Sequence, residues 1–582
     1  MLACLLILLG ASPPVEVTRS ERHDISPPLR TLPLLPPRPV PVHEEPAEQL
    51  LRPLAPLFDP VRQRSALMSP GTPLVSFEGI GPGTGFLRNA NPPDANGDVG
   101  PDHYVQATNF MFAVFSKSGS LVYGPAATRT LFQGFGGGCE QVDSGDPQVV
   151  YDGFADRWLI HYISKNAPDG VDRQCVAVSS GPDPTGAWFR YAFGFSRDGP
   201  DYGKIGVWPP ASYVFTTTLA NVSIATACAF HRERMLAGLD AAGQCFTLPF
   251  DGPPRDGRNE YPVPADVDGP RPPPQGADAY LLTVPLFGEF GVFRLHVDWA
   301  DASKSFLSPR KSAPIAPLTH PCGACIEQPG TTQRLPSASL SLRHRLAYRN
   351  FGDHEALVTA QAADASGTVA IRWYELRPDG SGGLVVHDQG TFAPDAHHRF
   401  VPSVAMDGQG NLAVGYSVSS NTVYPSIRYA GRLAGDPPGT LTIGEGTLIE
   451  GTESLTFGNR WGDYSAMQVD PIDDSTFWFT TEYVSRGAVA TRIGAFRWSR
   501  TPPPDAGTAP DAGTTLDAGA GSDGGSMPDG GQTSTPPMTT PSRGGCMTFA
   551  SPLDPLVWMA LALWARRQKR SPRAPATTSS SR

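Results

Sequence analysis

The amino-acid sequence predicts an all-β protein, and three observations carry that prediction. Glycine and proline are abundant, with 62 residues of each, which favours many turns and extended connections. Between about residues 71 and 500, short runs of β-branched and aromatic residues alternate with turn residues, and helical periodicity is almost absent. These runs also recur at a regular spacing, which is typical of folds that grow by repetition.

Each unit of the repeat begins with polar residues or Gly-Asp, forms a short strand and a turn, and opens a second strand on a bulky residue. These second strands begin, with spacings of 54 to 67 residues, near Tyr104, Trp158, Tyr213, Tyr280, Leu346, Leu412 and Phe477. Later strands in the units include GVFRLHVDW, VAIRWYELR, SIRYAGRL and IGAFRW. Four strands per unit and seven units predict a seven-bladed β-propeller, with a β-sandwich as the alternative.

A propeller of this kind needs a strand from outside its last unit to cover that unit's open edge. The segment PLVSFEGI, at 73–80, has the alternation of a strand and precedes the first unit. We therefore expect it to pair with the seventh unit and close the ring.

The ends of the chain differ in composition from the repeat region. Residues 1–20 read as a secretory signal with cleavage near Ala11 or Ser12, and a buried N-terminal strand is the alternative. Residues 21–70 are rich in proline and charge, which predicts a solvated stalk or pro-region. Residues 501–545 are small and acidic and predict a disordered spacer, followed by an anchor segment at 546–570 and a basic polar tail at 571–582.

Export would let the cysteines form disulfides. Pairing neighbours within one repeat unit predicts Cys139–Cys175, Cys228–Cys245 and Cys322–Cys325. The CGAC sequence at 322–325 is also compatible with a redox pair or half of a zinc site. Because there is no second CxxC and no thioredoxin-like βαβ pattern, a structural disulfide is favoured.

The net charge of −10 and the absence of a basic run before Arg566 exclude a protein that tracks nucleic-acid phosphates. The recurring Gly-Asp pairs are more informative. In a propeller, the starts of the inner strands surround one mouth of the central channel, so Asp98, Asp146, Asp201 and Asp463 are predicted to meet there with Arg460. Such a ring would bind a cation or sugar hydroxyls; capping of each blade by its own Asp is the alternative.

The segment Asp94-Ala95-Asn96-Gly97-Asp98 has the D-x-N-x-D spacing that turns alternate oxygen ligands toward one Ca²⁺. It predicts a calcium site made of Asp94, Asn96 and Asp98. It lacks the twelfth-position Glu of an EF-hand loop, and its Gly falls at a different position, so an Asx-rich turn is the alternative.

The motifs of common hydrolases are missing. Gly415 to Ser419 ends in Ser where a G-x-S-x-G motif requires Gly, and His354-Glu355 is not followed by the second His of HExxH. Glycosidic cleavage needs two carboxylates across a cleft, which Asp146, Asp463 and Glu482 would be able to supply.

The region from Asp94 to Trp498 resembles an uncharacterised family of secreted bacterial proteins. The residues that carry the resemblance include PPDANGDVGPDHYVQ, GDPQVVYDGFADRW, SVAMDGQGNLAVGYSVSS and RWGDYSAMQVDPIDDSTFWFTTEY. The resemblance implies an extracellular propeller-like domain, often joined to surface-sorting tails. It implies no substrate and no catalytic residues.

The C-terminus resembles the sorting signals of myxobacteria, known as MYXO-CTERM tails. It has Gly544-Gly545-Cys546, an apolar segment ending in LVWMALALWA, and the basic cluster ARRQKR. The resemblance implies processing near the cysteine and an anchored mature end at Cys546. The apolar run of Pro555–Ala565 is short for a spanning helix, and 12 residues follow the basic cluster where such tails usually stop.

The sequence as a whole favours a secreted, cell-surface or outer-membrane protein whose propeller recognises a carbohydrate or protein ligand, with calcium bound. A glycan-acting hydrolase that uses carboxylates at the channel mouth is the second hypothesis, and a purely structural surface-layer component is the third.

Overall fold

The protein was analysed as a computed structural model, which describes residues 13–36, 58–63, 68–82, 92–195, 199–219, 224–248, 262–285, 288–337, 342–457 and 460–498. The predicted signal cleavage site, the spacer, the anchor segment with Cys546 and the basic tail lie outside these residues. The described part is all-β, as predicted. Four strands precede the repeat region: β1 (Glu16–Arg19), β2 (Arg22–Ile25), β3 (Arg62–Gln63) and β4 (Val75–Glu78).

The repeat region folds into consecutive antiparallel meanders, numbered here as sheets in chain order. Sheet 1 contains β5 (Asn96–Val99), β6 (His103–Thr108), β7 (Met111–Ser116) and β8 (Leu121–Ala127). Sheet 2 contains β9 (Gln148–Asp152), β10 (Arg157–Ser164), β11 (Asp172–Ser179) and β12 (Trp188–Phe195). Sheet 3 contains β13 (Pro200–Trp208), β14 (Ser212–Leu219), β15 (Ile224–His231) and β16 (Ala242–Thr247).

Sheets 4 and 5 are joined edge to edge, because their first strands pair in parallel. Sheet 4 contains β17 (Pro262–Asp268), β18 (Ala279–Thr283), β19 (Glu289–His296), β20 (Phe306–Leu307) and β21 (Lys311–Pro314). A small pair, β22 (Ala324–Ile326) and β23 (Leu335–Pro336), follows it. Sheet 5 contains β24 (Leu346–Asn350), β25 (Glu355–Asp364), β26 (Val369–Pro378) and β27 (Leu384–Phe392).

The last two meanders repeat the same order. Sheet 6 contains β28 (His398–Met406), β29 (Leu412–Ser419), β30 (Ser426–Arg432) and β31 (Ile443–Ile449). Sheet 7 contains β32 (Ala466–Val469), β33 (Phe477–Ser485) and β34 (Ala488–Phe496), and its fourth strand is β4. The predicted pairing of PLVSFEGI with the last unit is therefore confirmed, with Val75 opposite Ala495 and Glu78 opposite Arg492.

The first strands of the sheets contact one another in a propeller-like order that returns to the start. Sheets 4 and 5 are joined by β17 and β24. The other junctions are hydrogen bonds from Val149 N to Asn96 Oδ1 (2.9 Å), Ile205 N to Gln148 Oε1 (2.9 Å), Val207 N to Asp266 Oδ1 (2.9 Å), Arg349 Nε to Met406 O (3.0 Å), Met467 N to Ser403 Oγ (2.9 Å) and Asp463 N to Asp94 Oδ1 (2.6 Å).

Aromatic and aliphatic side chains fill the spaces between adjacent sheets. Phe477 and Phe479 of β33 are buried with Tyr429 of sheet 6, and the ring centroids of Tyr429 and Phe496 lie 3.9 Å apart. Trp478 faces the other way and packs against Tyr104 of sheet 1. The alternation of side chains along one strand thus contributes to two different cores.

Two short α-helices and three disulfides complete the described fold. The helices are α1 (Gly138–Gln141) and α2 (Arg232–Leu236), and short 3-10 turns lie at Leu29–Thr31, Thr128–Phe132 and Ala302–Lys304. The disulfides join Cys139 to Cys175, Cys228 to Cys245 and Cys322 to Cys325, which are the predicted pairs. Disulfides of this kind are typical of exported proteins and indicate an extracellular location.

Two N-terminal strands differ from the prediction: β1 lies within residues 1–20, after the predicted cleavage site, and β2 lies within the predicted solvated stalk at 21–70. Strand β1 pairs with β16, and β2 pairs with β12, so both add a fifth strand to the outer edge of a sheet. Leu29 is fully buried, and Asp24 forms a bidentate ion pair with Arg190. The proline-rich composition led to the prediction of a stalk. Edge strands can nevertheless form beside prolines, because one side of an edge strand makes no ladder hydrogen bonds.

The predicted repeat is also displaced at one position. Six of the predicted second-strand starts fall within one residue of the start of an observed second strand, but Leu346 begins the first strand of sheet 5. The insertion of β22 and β23 between sheets 4 and 5 places the second strands of these sheets 76 residues apart, whereas those of sheets 5 and 6 are 57 residues apart. The regular spacing therefore predicted that a repeat unit lies near Leu346, but it did not predict which strand of that unit begins there.

Among the described residues, no helix is long and apolar enough to cross a membrane.

Candidate functional site

Four of the five predicted binding residues meet at the starts of the first strands. This group, here called the Asp146 cluster, brings together side chains from sheets 1, 2, 3 and 7 and from the segment that precedes sheet 5. Its members are Asp94, Asp146, Lys165, Asp201, Tyr202, Lys204, Arg343, Arg460, Asp463 and Tyr464. Asp98 is not among them.

Asp463 lies between two guanidinium groups. Arg343 Nη1 donates to its Oδ1 at 2.5 Å, and Arg460 Nη2 donates to its Oδ2 at 2.6 Å. Burial opposes ionisation of this carboxyl, but the two arginines outweigh burial and lower the pKa of Asp463. Asp463 is therefore ionised at neutral pH.

Asp94 and Asp146 have the opposite electrostatic character. Burial, with the nearby charge of Asp463, raises the pKa of Asp94 to about 6. Burial, with the charges of Asp94, Asp201 and Asp463, raises the pKa of Asp146 to about 8. Both carboxyls still bind the neighbouring sheet, since Asp94 Oδ1 accepts from Asp463 N and Asp146 Oδ2 accepts from Tyr202 N at 3.0 Å.

Lys204 lies beneath these carboxyls with 1% of its surface exposed. Its Nζ is 3.1 Å from the ring centroid of Tyr202 and 5.1 Å from that of Tyr464, and it has no hydrogen-bond partner among the described residues. Burial lowers the pKa of Lys204 well below its ordinary value, and Arg343 adds to that effect. Burial therefore favours the neutral amine of Lys204.

Glu482 lies on the second strand of sheet 7, beside Asp94 and Asp463. Its Oε1 accepts a hydrogen bond from Gly462 N, and its Oε2 has no partner among the described residues. Burial raises the pKa of Glu482 well above its ordinary value, which favours the neutral carboxyl. A Cβ at Gly462 would lie 2.6 Å from Glu482 Oε1, so a larger residue there would displace the Glu482 carboxyl.

Asp98 lies in a second, deeper group, here called the Arg345 cluster, which contains Asp98, Asp266, Asp268 and Arg345. Arg345 pairs with Asp268 and, at 3.3 Å, with Asp266 Oδ2. Burial raises the pKa of Asp98 well above its ordinary value, although Arg345 opposes that shift. Asp98 lies within β5, whereas Asp94 precedes that strand.

The prediction of a single ring of Gly-Asp carboxylates is therefore wrong for Asp98. The hydrogen bonds between sheets show the reason, because Asn96, Gln148 and Ser403 occupy one equivalent position and each accepts an amide proton from the next sheet. We count along the chain from that position within each sheet. Asp94 and Asp146 come two residues before it, Asp463 comes three residues before it, and Asp98 comes two residues after it. The same dipeptide thus falls at three different depths.

The predicted calcium ligands use their oxygen atoms to fasten sheets. Asp94 accepts from Asp463 N and Asn109 Nδ2, Asn96 Oδ1 accepts from Val149 N, and Asp98 Oδ2 accepts from Tyr151 N at 2.7 Å. Within the described ranges, no group of three or more His, Cys, Asp and Glu side chains is arranged to hold a metal ion. Calcium binding by Asp94, Asn96 and Asp98 stays a prediction.

Sequence reasoning missed Lys165, Tyr202, Lys204, Arg343 and Tyr464. A signal existed for Lys204, since DYGKIGVW follows the same pattern as GDPQVVYD and places the lysine where sheet 2 has Gln148. No local pattern marks Arg343, which precedes its strand by three residues and reaches Asp463 only in the folded chain.

Comparisons with known proteins do not identify a function for this chain. No protein-family model matches the chain, and no curated protein matches its sequence. Among solved structures, the chain is similar to the exo-beta-1,3-galactanase from Phanerochaete chrysosporium, with a TM-score of 0.27 and 12% identity over 56% of this chain and 76% of that one.

Two further similarities have the same low level. The endo-arabinase from Bacteroides thetaiotaomicron gives a TM-score of 0.21 and 13% identity over 49% of this chain and 94% of that one. The Hadza microbial sialidase Hz136 gives 0.22 and 13% over 70% of this chain and 74% of that one. TM-scores of this size support no conclusion about the substrate of this chain.

Proposed function

We propose that the chain is a seven-bladed β-propeller that recognises a glycan or a protein ligand outside the cell, and that the ligand binds at the Asp146 cluster. The seven meanders would be the blades, since their first strands contact one another in cyclic order and β4 completes the last sheet. One observation carries the binding proposal: partly exposed polar side chains from sheets 2, 3 and 7 meet in one place.

The cluster has the composition of a recognition site for a polar ligand. Asp146, Asp201, Tyr202, Arg460 and Asp463 are partly exposed, and they stand on a buried floor made by Lys204, Arg343 and Tyr464. A few convergent polar groups beside aromatic rings on rigid strands are the usual means by which proteins fix the orientation of a small ligand. The buried ion pairs hold these groups before a ligand arrives.

Binding to a glycan array and to a peptide library tests this proposal. We expect Asp463→Asn and Arg460→Met to weaken binding at least about tenfold, because each breaks the ion pair that orients the exposed groups. Asp102→Asn, at an exposed carboxylate of the loop before β6, serves as the matched control and should bind as wild type. Failure of the wild-type chain to bind any member of either set would overturn the proposal.

Anchoring at the cell surface through Cys546, implied by the resemblance to myxobacterial sorting tails, is part of this proposal. Fractionation of cells that carry Cys546→Ser tests it directly. Release of the variant into the medium, with the wild type retained on the cells, would support anchoring, and equal distribution would contradict it.

A glycan-acting hydrolase is the second candidate, and one observation favours it. Asp146, with its pKa near 8, and Asp463, with its lowered pKa, are two carboxyls whose environments separate their protonation states, as acid catalysis beside an ionised group requires. Release of reducing ends from cell-wall polysaccharides, lost in Asp146→Asn and retained in Asp102→Asn, would support this function. Binding without any release would exclude it for the glycans tested.

A further inference from the structure

Tyr202 occupies an unusual backbone position at the edge of the Asp146 cluster. The register between β13 and β14 shifts between Asp201 and Lys204, so that Tyr202 and Gly203 form a β-bulge. Tyr202 has a φ of 51°, in the left-handed region that a bulky side chain rarely adopts. Bulges near binding sites commonly turn a side chain out of the regular alternation of a strand.

Two carboxylates hold this conformation. The backbone N–H of Tyr202 donates to Asp146 Oδ2 at 3.0 Å and to Asp201 Oδ1 at 3.0 Å. Two of the side chains predicted to bind a ligand therefore also position the tyrosine. Strain of this type persists only where surrounding contacts fix it, and it concentrates at functional sites.

Sheet 6 provides an internal comparison. Its first strand has the same kind of register shift, between Phe400 and Ser403, and Val401 has a φ of 49°. Val401 is fully buried, whereas the Tyr202 side chain is partly exposed. The bulge thus occurs in both sheets, and of these two bulges only that of sheet 3 carries a partly exposed aromatic residue.

The ring of Tyr202 is fixed from within the protein. Lys204 Nζ lies against it at 3.1 Å from the centroid, the Tyr464 ring lies 5.4 Å away, and Arg343 Nη1 donates to its hydroxyl at 3.2 Å. An aromatic side chain held in this way presents a rigid apolar surface with little entropy left to lose on binding.

The charges around the ring are balanced. The acids and bases of the cluster number four each: Asp94, Asp146, Asp201 and Asp463, against Lys165, Lys204, Arg343 and Arg460. If burial leaves a proton on Asp146 instead of on Lys204, the balance does not change. A cluster without net charge exerts little long-range attraction on an acidic or a basic ligand, whereas its charged groups form stronger hydrogen bonds to hydroxyl groups than neutral groups do.

We propose that Tyr202 is the stacking platform of the Asp146 cluster and that its ligand is an uncharged sugar ring. The C–H face of the sugar would lie on the tyrosine ring, and its hydroxyl groups would bind the paired charges of Asp463, Arg460 and Asp201. This inference rests on the proposed function and specifies its ligand class and one further binding residue.

An array of neutral and acidic glycans, presented to the full chain, tests the inference. We expect binding to neutral sugars to fall at least about tenfold in Tyr202→Ala and to remain within about threefold of wild type in Tyr202→Phe, which keeps the ring. Tyr202→Asn is a second loss variant, since Asn tolerates the left-handed backbone. Tyr424→Ala, at an exposed tyrosine in the turn before β30, is the matched control.

The outcomes separate the inference from the proposed function. Binding to neutral glycans that Tyr202→Ala and Tyr202→Asn do not weaken, or a preference for uronate or sialylated glycans, would overturn the inference and leave glycan recognition standing. Binding to peptides alone would also overturn the inference, and it would leave the protein-ligand form of the proposed function. If the wild-type chain binds nothing, the proposed function fails and the inference fails with it.

Discussion

The Asp146 cluster and the Arg345 cluster use the same residue types for different purposes. Both contain several carboxyls and at least one buried base, and both lie along the first strands of the sheets. The Arg345 cluster is almost entirely buried, and its carboxylates accept backbone amides of adjacent sheets. The Asp146 cluster also binds amides of neighbouring sheets, but it contains partly exposed side chains. A position four or five residues earlier in the first strand thus separates the accessible Asp146 and Asp463 from the buried Asp98.

Removal of the cation of the Arg345 cluster should have the largest effect on stability. Arg345→Met leaves Asp266 and Asp268 buried beside each other without a positive partner, and we expect the free energy of unfolding to fall by about 3–5 kcal/mol. Chemical denaturation at neutral pH measures the loss. Arg234→Met, at an exposed arginine of α2, is the control and should change stability by less than about 0.5 kcal/mol.

A second test compares one carboxylate from each cluster. Asp98→Ala removes the acceptor of the Tyr151 amide in a buried place, which should cost about 1–3 kcal/mol of unfolding free energy. Asp201→Ala removes a side chain that is 46% exposed, pairs with Lys165 at the surface and accepts from Tyr202 N, so a smaller loss of about 1 kcal/mol or less is expected. Equal losses in the two variants would show that the clusters do not differ in this respect.

The protonation of Asp146 gives a third test. Its pKa of about 8 in the folded state lies above the value of about 4 in an unfolded chain, so the folded state binds more protons between these values. The contribution of Asp146 to stability is therefore complete below pH 4 and is lost as pH rises toward 8.

Asp146→Asn removes that dependence while an amide oxygen can still accept from Tyr202 N. The stability of this variant relative to wild type should rise by about 1 kcal/mol or more between pH 5 and pH 8. Unfolding measured at both pH values, with Asp102→Asn as the control, checks it. A difference that does not depend on pH would mean that Asp146 is ionised throughout.

Removal of calcium should have the smallest effect. Because the oxygens of Asp94, Asn96 and Asp98 accept amide hydrogen bonds, we expect a chelator to change the melting temperature by less than about 2 °C. A larger drop that added calcium reverses, and that Asp98→Asn abolishes, would instead support the predicted calcium site.

Part of the candidate site followed from the sequence, and part of it did not. Asp146, Asp201, Arg460 and Asp463 were predicted to meet because a repeat places equivalent positions around a common axis. Asp98 was assigned to the same group because Gly97-Asp98 looks like Gly145-Asp146, although it lies deeper. Dipeptide similarity does not fix register, and a shift of a few residues along a strand moves a side chain by roughly 3.3 Å per residue.

The sequence by itself determined the all-β class, the unit length, the disulfide pairs and the closing strand, since periodicity, turn residues and cysteine spacing are local properties. Only the tertiary structure decided that the N-terminal residues form edge strands, that Arg343 reaches Asp463 across 120 positions of chain, and that Lys204 lies beneath Tyr202. These contacts depend on how separate sheets meet, and burial and charge then set the protonation of each group, which no local pattern encodes.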